Sequence, residues 1–196
     1  MFRKIVYVFI LLFFLLSSPL LAYPFEVGEK LSYTIKLIGI PAGNQVLKVE
    51  RVTEAEDGLL YIFTSRVKSS GIVSLFFHLD DEIESHVDMK TLYPRFTRVK
   101  IREDSRREEI EVTIKKKDGV NALIWDKERG KKWSKELKVF PHDFLSLIYW
   151  IRTQDLTPGK KYEVLLFDIP GNFRSVEFEV SGIEKAYTYL GVFPAL

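Results

Sequence analysis

Four side chains able to hydrogen-bond or carry charge recur at every third residue of one segment: Asp143, Ser146, Tyr149 and Arg152. On a helix this spacing makes successive members neighbours along a single line. If that line faces a cavity, the cluster can bind a polar group, and Arg152 can hold a carboxylate or a phosphate. These four residues are therefore the candidate ligand-binding residues of the chain.

Ordinary helix chemistry also accounts for this cluster. Asp143, two residues after Pro141, suits a helix N-terminus, where a carboxylate accepts hydrogen bonds from unpaired backbone N–H groups. Ser146 can complete the first turn, and Arg152 at the other end interacts favourably with the helix dipole. Of the two interpretations, the sequence favours the structural one.

Motifs of enzymes and metal sites are weak in this chain. Ser146 lacks the flanking glycines of a nucleophile elbow, and the chain has no cysteine to act as a nucleophile. The three histidines lack metal-ligand spacing, and the acidic run at 80–84 lacks the glycine and spacing of a calcium-binding loop. We therefore expect a non-enzymatic protein without metal or cofactor, and a hydrolase using Asp143 and Ser146 is the alternative.

The N-terminal segment has the three parts of a secretory signal peptide. Arg3 and Lys4 precede an apolar stretch of 12 residues, and Ala22 offers a small residue for cleavage. An uncleaved anchor is the alternative, but about 20 apolar residues are needed to span a bilayer. The sequence predicts a signal peptide at 1–22, export to the cell envelope, most naturally the periplasm, and no membrane span after cleavage.

Charge and cysteine content narrow the class of partner. The chain has 29 Lys and Arg against 27 Asp and Glu, and two of the basic residues lie in the leader. The remainder is formally neutral, which gives no electrostatic reason to expect nucleic acid as a partner. Without cysteine, the chain has neither disulfides nor the lipidated N-terminal cysteine of a lipoprotein.

Alternating apolar and polar residues dominate the chain after the leader. Leu31–Leu37 alternates strictly, Gly39–Gly43 is expected to be a turn, and Asn44–Thr53 is expected to return as a strand. Helical spacing of apolar residues appears only at 141–153, and the apolar run after Gly71 suggests a short helix or wide corner. The pattern predicts one mainly β domain at 23–196, a curved antiparallel sheet or open barrel with one buried helix.

Aromatic residues are abundant, with 15 Phe, 9 Tyr and 3 Trp, some of them in the leader. They can line an apolar pocket or fill the core, and core filling is the usual arrangement. The chain stops within the apolar run 192–196, so we expect its final strands to be missing.

Three stretches resemble an exported bacterial family known as domain of unknown function 3108. The first is the opening FEVGEKLSYTIKLIGIPAGNQVLKVE, the second HDFLSLIYWIRTQDLTPGKKYEVLLFD and the third LGVFPAL. The residues that carry the match are Gly28, Glu29, Leu31, Tyr33, Ala42, Gly43, Asp143, Ser146, Tyr149, Arg152, Pro158 and Gly159.

The resemblance implies a curved antiparallel β structure but no assigned activity. By analogy of fold, which does not establish function, such a structure is similar to the open barrels of periplasmic lipoprotein carriers. We therefore expect an envelope protein that binds an apolar or amphipathic ligand, such as a lipid or a lipoprotein acyl chain. The alternative is a structural or assembly factor that recognises a protein partner along an exposed strand edge.

Overall fold

The structure is a computed structural model that describes residues 23–116, 119–168, 171–188 and 191–195. The predicted signal peptide at 1–22 lies outside the described residues. Among the residues that are described, no helix is long and apolar enough to cross a membrane.

One large sheet contains eight strands, each paired antiparallel with the next along the chain. Its strands are β1 (Lys30–Leu37), β2 (Ile40–Ala55), β3 (Gly58–Ser69), β4 (Asp80–Asp88), β5 (Pro94–Glu103), β6 (Arg106–Lys116), β7 (Val120–Asp126) and β8 (Lys131–Leu137). The strands do not close into a barrel, so β1 and β8 are the two edges. The prediction of a mainly β fold built on an antiparallel sheet is confirmed.

Smaller elements follow the large sheet. They are β9 (Pro141–His142), the helix α1 (Phe144–Ile151), β10 (Lys161–Asp168), β11 (Asn172–Glu179), β12 (Glu184–Thr188) and β13 (Gly191–Ala195). β9 runs parallel to β10, which pairs antiparallel with β11, and β12 and β13 form a separate hairpin. A 3-10 helix, Gly71–Leu75, joins β3 to β4 and agrees with the short helix or wide corner expected there.

The large sheet buries one of its faces, and two sets of elements cover it. Over β5–β8, side chains such as Val99, Val112 and Ile124 pack against Phe167 of β10. Because strand side chains alternate between faces, every second residue contributes in the core-facing parts of β6 and β7, whereas β8 contributes Leu137.

A second cluster lies over β2–β4. Leu47, Val49 and Phe63 contact Leu145 and Tyr149, which project from one side of α1. The helix therefore covers the half of the sheet that β10 and β11 leave uncovered.

The structure corrects three local predictions. The turn expected at Gly39–Gly43 is made by Ile38 and Gly39, both with positive φ, and β2 begins at Ile40. The helix is shorter than 141–153, since Pro141 and His142 pair with β10. The last strand, expected to begin at Tyr187, corresponds to parts of two antiparallel strands, β12 and β13.

Candidate functional site

Asp143 begins the helix with a capping box. Its carboxylate Oδ1 accepts a hydrogen bond from the Ser146 backbone N–H at 2.7 Å, and Ser146 Oγ accepts one from the Asp143 N–H at 2.9 Å. Two backbone donors that the first turn leaves unpaired are thereby satisfied. This is the structural role that the sequence predicted for both residues.

The other carboxylate oxygen of Asp143 reaches the sheet. Oδ2 accepts hydrogen bonds from the hydroxyls of Ser85 on β4 and of Thr97 on β5, the latter at 2.5 Å. All three side chains are buried, and a buried carboxylate is stable only when its oxygens are hydrogen-bonded. Asp143 therefore fixes the start of α1 over the middle of the sheet.

Ser85 and Thr97 were not among the predicted site residues, although the sequence around each contains a signal. Ser85 lies between Ile83 and Val87 in the alternation of β4, and Thr97 precedes Val99 in the alternation of β5. A small hydroxyl at an inward-facing strand position indicates a buried polar partner, because an unpaired hydroxyl there is unfavourable.

Tyr149 lies at the centre of an aromatic cluster. Its ring stacks on Phe63 with a centroid distance of 4.0 Å and meets the edge of Phe25 at 5.0 Å. The hydroxyl is buried and has no hydrogen-bond partner among the described residues, and burial raises the pKa of Tyr149 to about 12. The phenol thus acts chiefly as a packing group.

Arg152 joins the end of the helix to the segment that precedes β1. Its guanidinium donates to Glu29 Oε1 at 2.6 Å, to Glu29 Oε2 at 2.8 Å and to the Pro24 carbonyl at 2.6 Å. The hydrogen bonds to Glu29 raise the pKa of Arg152, because they favour its charged form. Within this structure Glu29 occupies the edge of the guanidinium that a ligand carboxylate or phosphate would use.

The four predicted residues therefore come together on the side of α1 that faces the sheet. Asp143, Ser146 and Tyr149 are buried, whereas Phe144, one of the apolar residues at helical spacing in 141–153, is 49% exposed. Each of the four makes structural contacts, and ligand binding by them stays a prediction. Glu29 and Arg152 both belong to the motifs singled out in the sequence, but 123 residues separate them, so their pairing was not foreseen.

A groove of about 360 Å³ opens beside Asp143. It lies between β2–β5, the start of α1 and β10. The lining residues are Gln45, Ser65, Val67, Asp81, Ile83, Thr97, Val99, Asp143, Phe144, Leu166, Phe167, Asp168 and Arg174. Most of the exposed wall is apolar, Asp143 and Thr97 supply polar groups, and Asp168 and Arg174 supply charge. We refer to this cavity as the helix groove.

A larger hollow, of about 500 Å³, lies on the opposite face of the sheet. Its walls carry charged side chains in pairs, such as Lys48 with Glu50 at 3.1 Å and Arg66 with Glu82 at 3.3 Å. Arg66 also pairs with the neighbouring Asp80 at 2.7 Å. The contacts with Arg66 lower the pKa of Asp80 to about 2. Because these charges neutralise one another at an open surface, we interpret the hollow as a solvated sheet face rather than a ligand site.

The acidic run at 80–84 does not gather around a common point. Asp80 pairs with Arg66, and Asp81 accepts a hydrogen bond from the Arg102 backbone N–H at 2.9 Å. In the part of the chain that the structure describes, no cluster of three His, Cys, Asp or Glu side chains has the arrangement of a metal site.

His142 is the buried histidine of the chain, only 1% exposed. Its ring packs between Tyr93 and Trp150, with centroid distances of 4.7 and 5.0 Å, and Nδ1 lies 3.2 Å from Ser146 Oγ. Nε2 has no hydrogen-bond partner among the described residues. Burial lowers the pKa of His142 to about 4, because the apolar surroundings disfavour the charged ring.

A comparison with protein families gave a match over most of the chain. The family model described as "Protein of unknown function (DUF3108)" matches residues 32–196, which include α1 and the large sheet apart from the first two residues of β1. Glu29, the partner of Arg152, lies just before the matched range. Comparisons with curated proteins and with solved structures gave no match.

The Glu29–Arg152 ion pair can be tested with a double-mutant cycle. Glu29→Gln and Arg152→Gln should each reduce the free energy of unfolding by about 1–3 kcal/mol, the usual range for a hydrogen bond to a charged group. Urea denaturation should show that the double variant loses less than the sum of the two. The exposed pair Lys161 and Glu179 is the control and should show no measurable coupling. Additive losses at Glu29 and Arg152 would contradict the role given to the pair.

The burial of His142 predicts that the free energy of unfolding falls at acid pH. Its pKa falls from 6.5 in the unfolded chain to about 4 in the fold, so the unfolded chain binds more protons between these values. Stability should be complete above pH 6.5 and decline as the pH falls towards 4. The loss should approach about 3 kcal/mol, since each unit is worth about 1.4 kcal/mol.

The test is urea denaturation at a series of pH values. His142→Phe should flatten the dependence of the free energy of unfolding on pH between pH 6.5 and 4, because phenylalanine has no group to protonate at position 142. His78→Phe, a matched change at an exposed position, should leave the slope unchanged. An unaltered slope in His142→Phe would show that another group controls the acid response.

Proposed function

The chain belongs to the DUF3108 family of proteins of unknown function, and we propose that it binds an amphipathic ligand, such as a lipid or a lipoprotein acyl chain, in the helix groove. Binding is non-enzymatic in this proposal. The place of action is the cell envelope, most naturally the periplasm, where the predicted signal peptide would deliver the protein.

The observation that carries the proposal is the character of the helix groove. Its volume of about 360 Å³ falls within the range of roughly 300–1,000 Å³ typical of small-molecule sites. Val67, Ile83 and Leu166 give it apolar walls. Thr97 and Asp143 also line it but are buried and hydrogen-bonded to each other, so its accessible polar groups are those of Asp168 and Arg174. An apolar wall with a few polar groups suits a ligand that has a hydrocarbon part and a polar part.

The same geometry argues against hydrolysis by Ser146. Its Oγ is fully buried, accepts a hydrogen bond from the Asp143 N–H and lies within 3.2 Å of His142 Nδ1. A nucleophile must reach the substrate carbonyl, and this hydroxyl is enclosed by the helix cap. The hydrolase alternative therefore has no accessible nucleophile at this residue.

Filling the helix groove should abolish binding. Lipids extracted from the purified protein and identified by mass spectrometry should be present in the wild type and reduced at least tenfold in Val67→Trp, whose indole would occupy the groove. Leu123→Trp, a matched change on the opposite face of the sheet, should retain them. A wild-type protein free of lipid, or equal lipid in both variants, would exclude the helix groove as the ligand site.

A second function, recognition of a protein partner, is favoured by the edge strand β1. Within the described residues β1 pairs only with β2, and its Tyr33 and Ile35 are 49% and 39% exposed. The other edge, β8, carries Lys131, Lys132 and Lys135, which discourage pairing with another strand, whereas the two lysines of β1, Lys30 and Lys36, lie near its ends. β1 is therefore the edge to which a partner strand could add.

Single cysteines can test the edge because the chain has none of its own. Ser32→Cys on β1, labelled with a photo-crosslinker, should give a discrete adduct with a second protein in envelope extracts. Ser134→Cys on β8 is the matched control and should give none, because lysines protect that edge. Identical adduct patterns from the two positions would count against a partner specific to β1.

A further inference from the structure

Apolar side chains crowd one end of the large sheet. Two segments contribute them, the β1–β2 turn and the connection that contains the 3-10 helix. The exposed fractions are 60% for Leu37, 95% for Ile38, 57% for Ile40, 69% for Ile72, 79% for Leu75, 83% for Phe76 and 41% for Phe77. We refer to residues 37–40 and 72–77 together as the apolar tip.

The two segments are held side by side. The Ser70 N–H donates a hydrogen bond to the Ala42 carbonyl at 2.9 Å, and Gly43 pairs with Ser69 at the end of the β2–β3 ladder. Gly43 allows this approach, because a Cβ there would lie 2.7 Å from the Lys68 carbonyl oxygen. The apolar tip is therefore one continuous surface that projects from the end of the sheet.

Ile38 is an unexpected residue for its place in the turn. It adopts φ 50° beside Gly39 at φ 80°, the left-handed pair of a tight hairpin turn in which Asn-Gly is the favoured sequence. A β-branched side chain is strained there, and Ile38 buries almost none of its surface in return. Since neither turn geometry nor packing favours isoleucine here, its apolar side chain points to contact with something outside the fold.

Charge is arranged around the apolar tip rather than within it. Residues 37–43 and 69–77 contain no Asp, Glu, Lys or Arg, and a lysine precedes each segment, Lys36 and Lys68. Lys36 forms no ion pair within the described residues. Lys68 lies 3.3 Å from Asp80, a carboxylate that Arg66 also engages at 2.7 Å.

We propose that the apolar tip docks onto a lipid bilayer that contains anionic headgroups. The tip is a projecting turn and a short helix rather than a groove, so its side chains can enter the headgroup boundary together while Lys36 stays among the phosphates. Residues 37–40 and 72–77 contain no carboxylate, and the acidic group next to them is Asp104, which accepts a hydrogen bond from the His78 N–H at 2.9 Å. A protein partner would more readily use the outer edge of β1, where the backbone groups that point away from β2 have no partner strand among the described residues.

This inference does not depend on a ligand in the helix groove. The groove residues Gln45 and Val67 lie only two residues beyond Gly43 and Ser69, where β2 and β3 leave the tip. Docking would therefore bring that part of the groove close to the bilayer. The tip can bind vesicles whether or not the groove holds a ligand.

Flotation with vesicles of phosphatidylglycerol and phosphatidylethanolamine tests the proposal, using protein recovered from expression of the full chain. Ile38→Asn should lower the partition coefficient about tenfold, since burying one large apolar side chain contributes roughly that factor. Asn suits the left-handed position, so thermal unfolding should show a fold at least as stable as the wild type. Ile183→Asn, a matched change at a residue 68% exposed elsewhere, should bind like the wild type.

A local readout separates docking of the tip from any other attachment of the chain. Phe76→Trp should gain a blue-shifted emission on vesicle binding and be quenched by brominated lipid, while Tyr187→Trp on β12 should not. The proposal is overturned if Ile38→Asn and Ile183→Asn bind equally, or if brominated lipid leaves the emission of the Phe76→Trp variant unquenched. Failure to bind vesicles together with a cross-link from the tip to a protein would overturn it in favour of a protein partner.

Discussion

A carboxylate enclosed by protein must have its oxygens hydrogen-bonded, and Asp143 meets that condition by joining three elements. One oxygen accepts from the first turn of α1, and the other accepts from hydroxyls on β4 and β5. The helix can begin only where these donors converge, so the places of Tyr149 and Arg152 along it follow from this contact. The same carboxylate lines the helix groove, and its contacts therefore also determine the shape of the proposed ligand site.

Periodicity explains why much of the fold was predictable. Alternation around Ile110, Val112 and Ile114 matches the alternating burial of β6, whereas β1 alternates in sequence but is exposed along nearly its whole length. In both segments the alternation predicted a strand. The helical spacing of apolar residues at 141–153 predicted a helix that contains α1, and Asp143 near its start predicted the cap. The family resemblance drew attention to Glu29 and Arg152, though as separate motifs.

Most of the structural features that the sequence did not indicate depend on contacts between distant segments. Ser85 and Thr97 look like ordinary polar strand residues until Asp143 is placed above them. The buried side of α1 carries Ser146, which completes the helix cap, as well as Leu145, while the larger apolar side chain of Phe144 is 49% exposed, so hydrophobicity alone does not identify the buried side. Ile38 was missed for a different reason, since isoleucine is among the residues least suited to a left-handed turn.

The order of the elements has a consequence for how the protein reaches its fold. The eight strands of the large sheet pair only with neighbours in sequence, so each hairpin closes a short loop. The residues that cover their shared face, in α1 and β10, come later in the chain. In a chain made from its N-terminus, the sheet can therefore form before the residues that bury its apolar side have been added. During that interval the apolar side is exposed, and the chain depends on its solubility or on chaperones, rather than on its own core, to avoid aggregation.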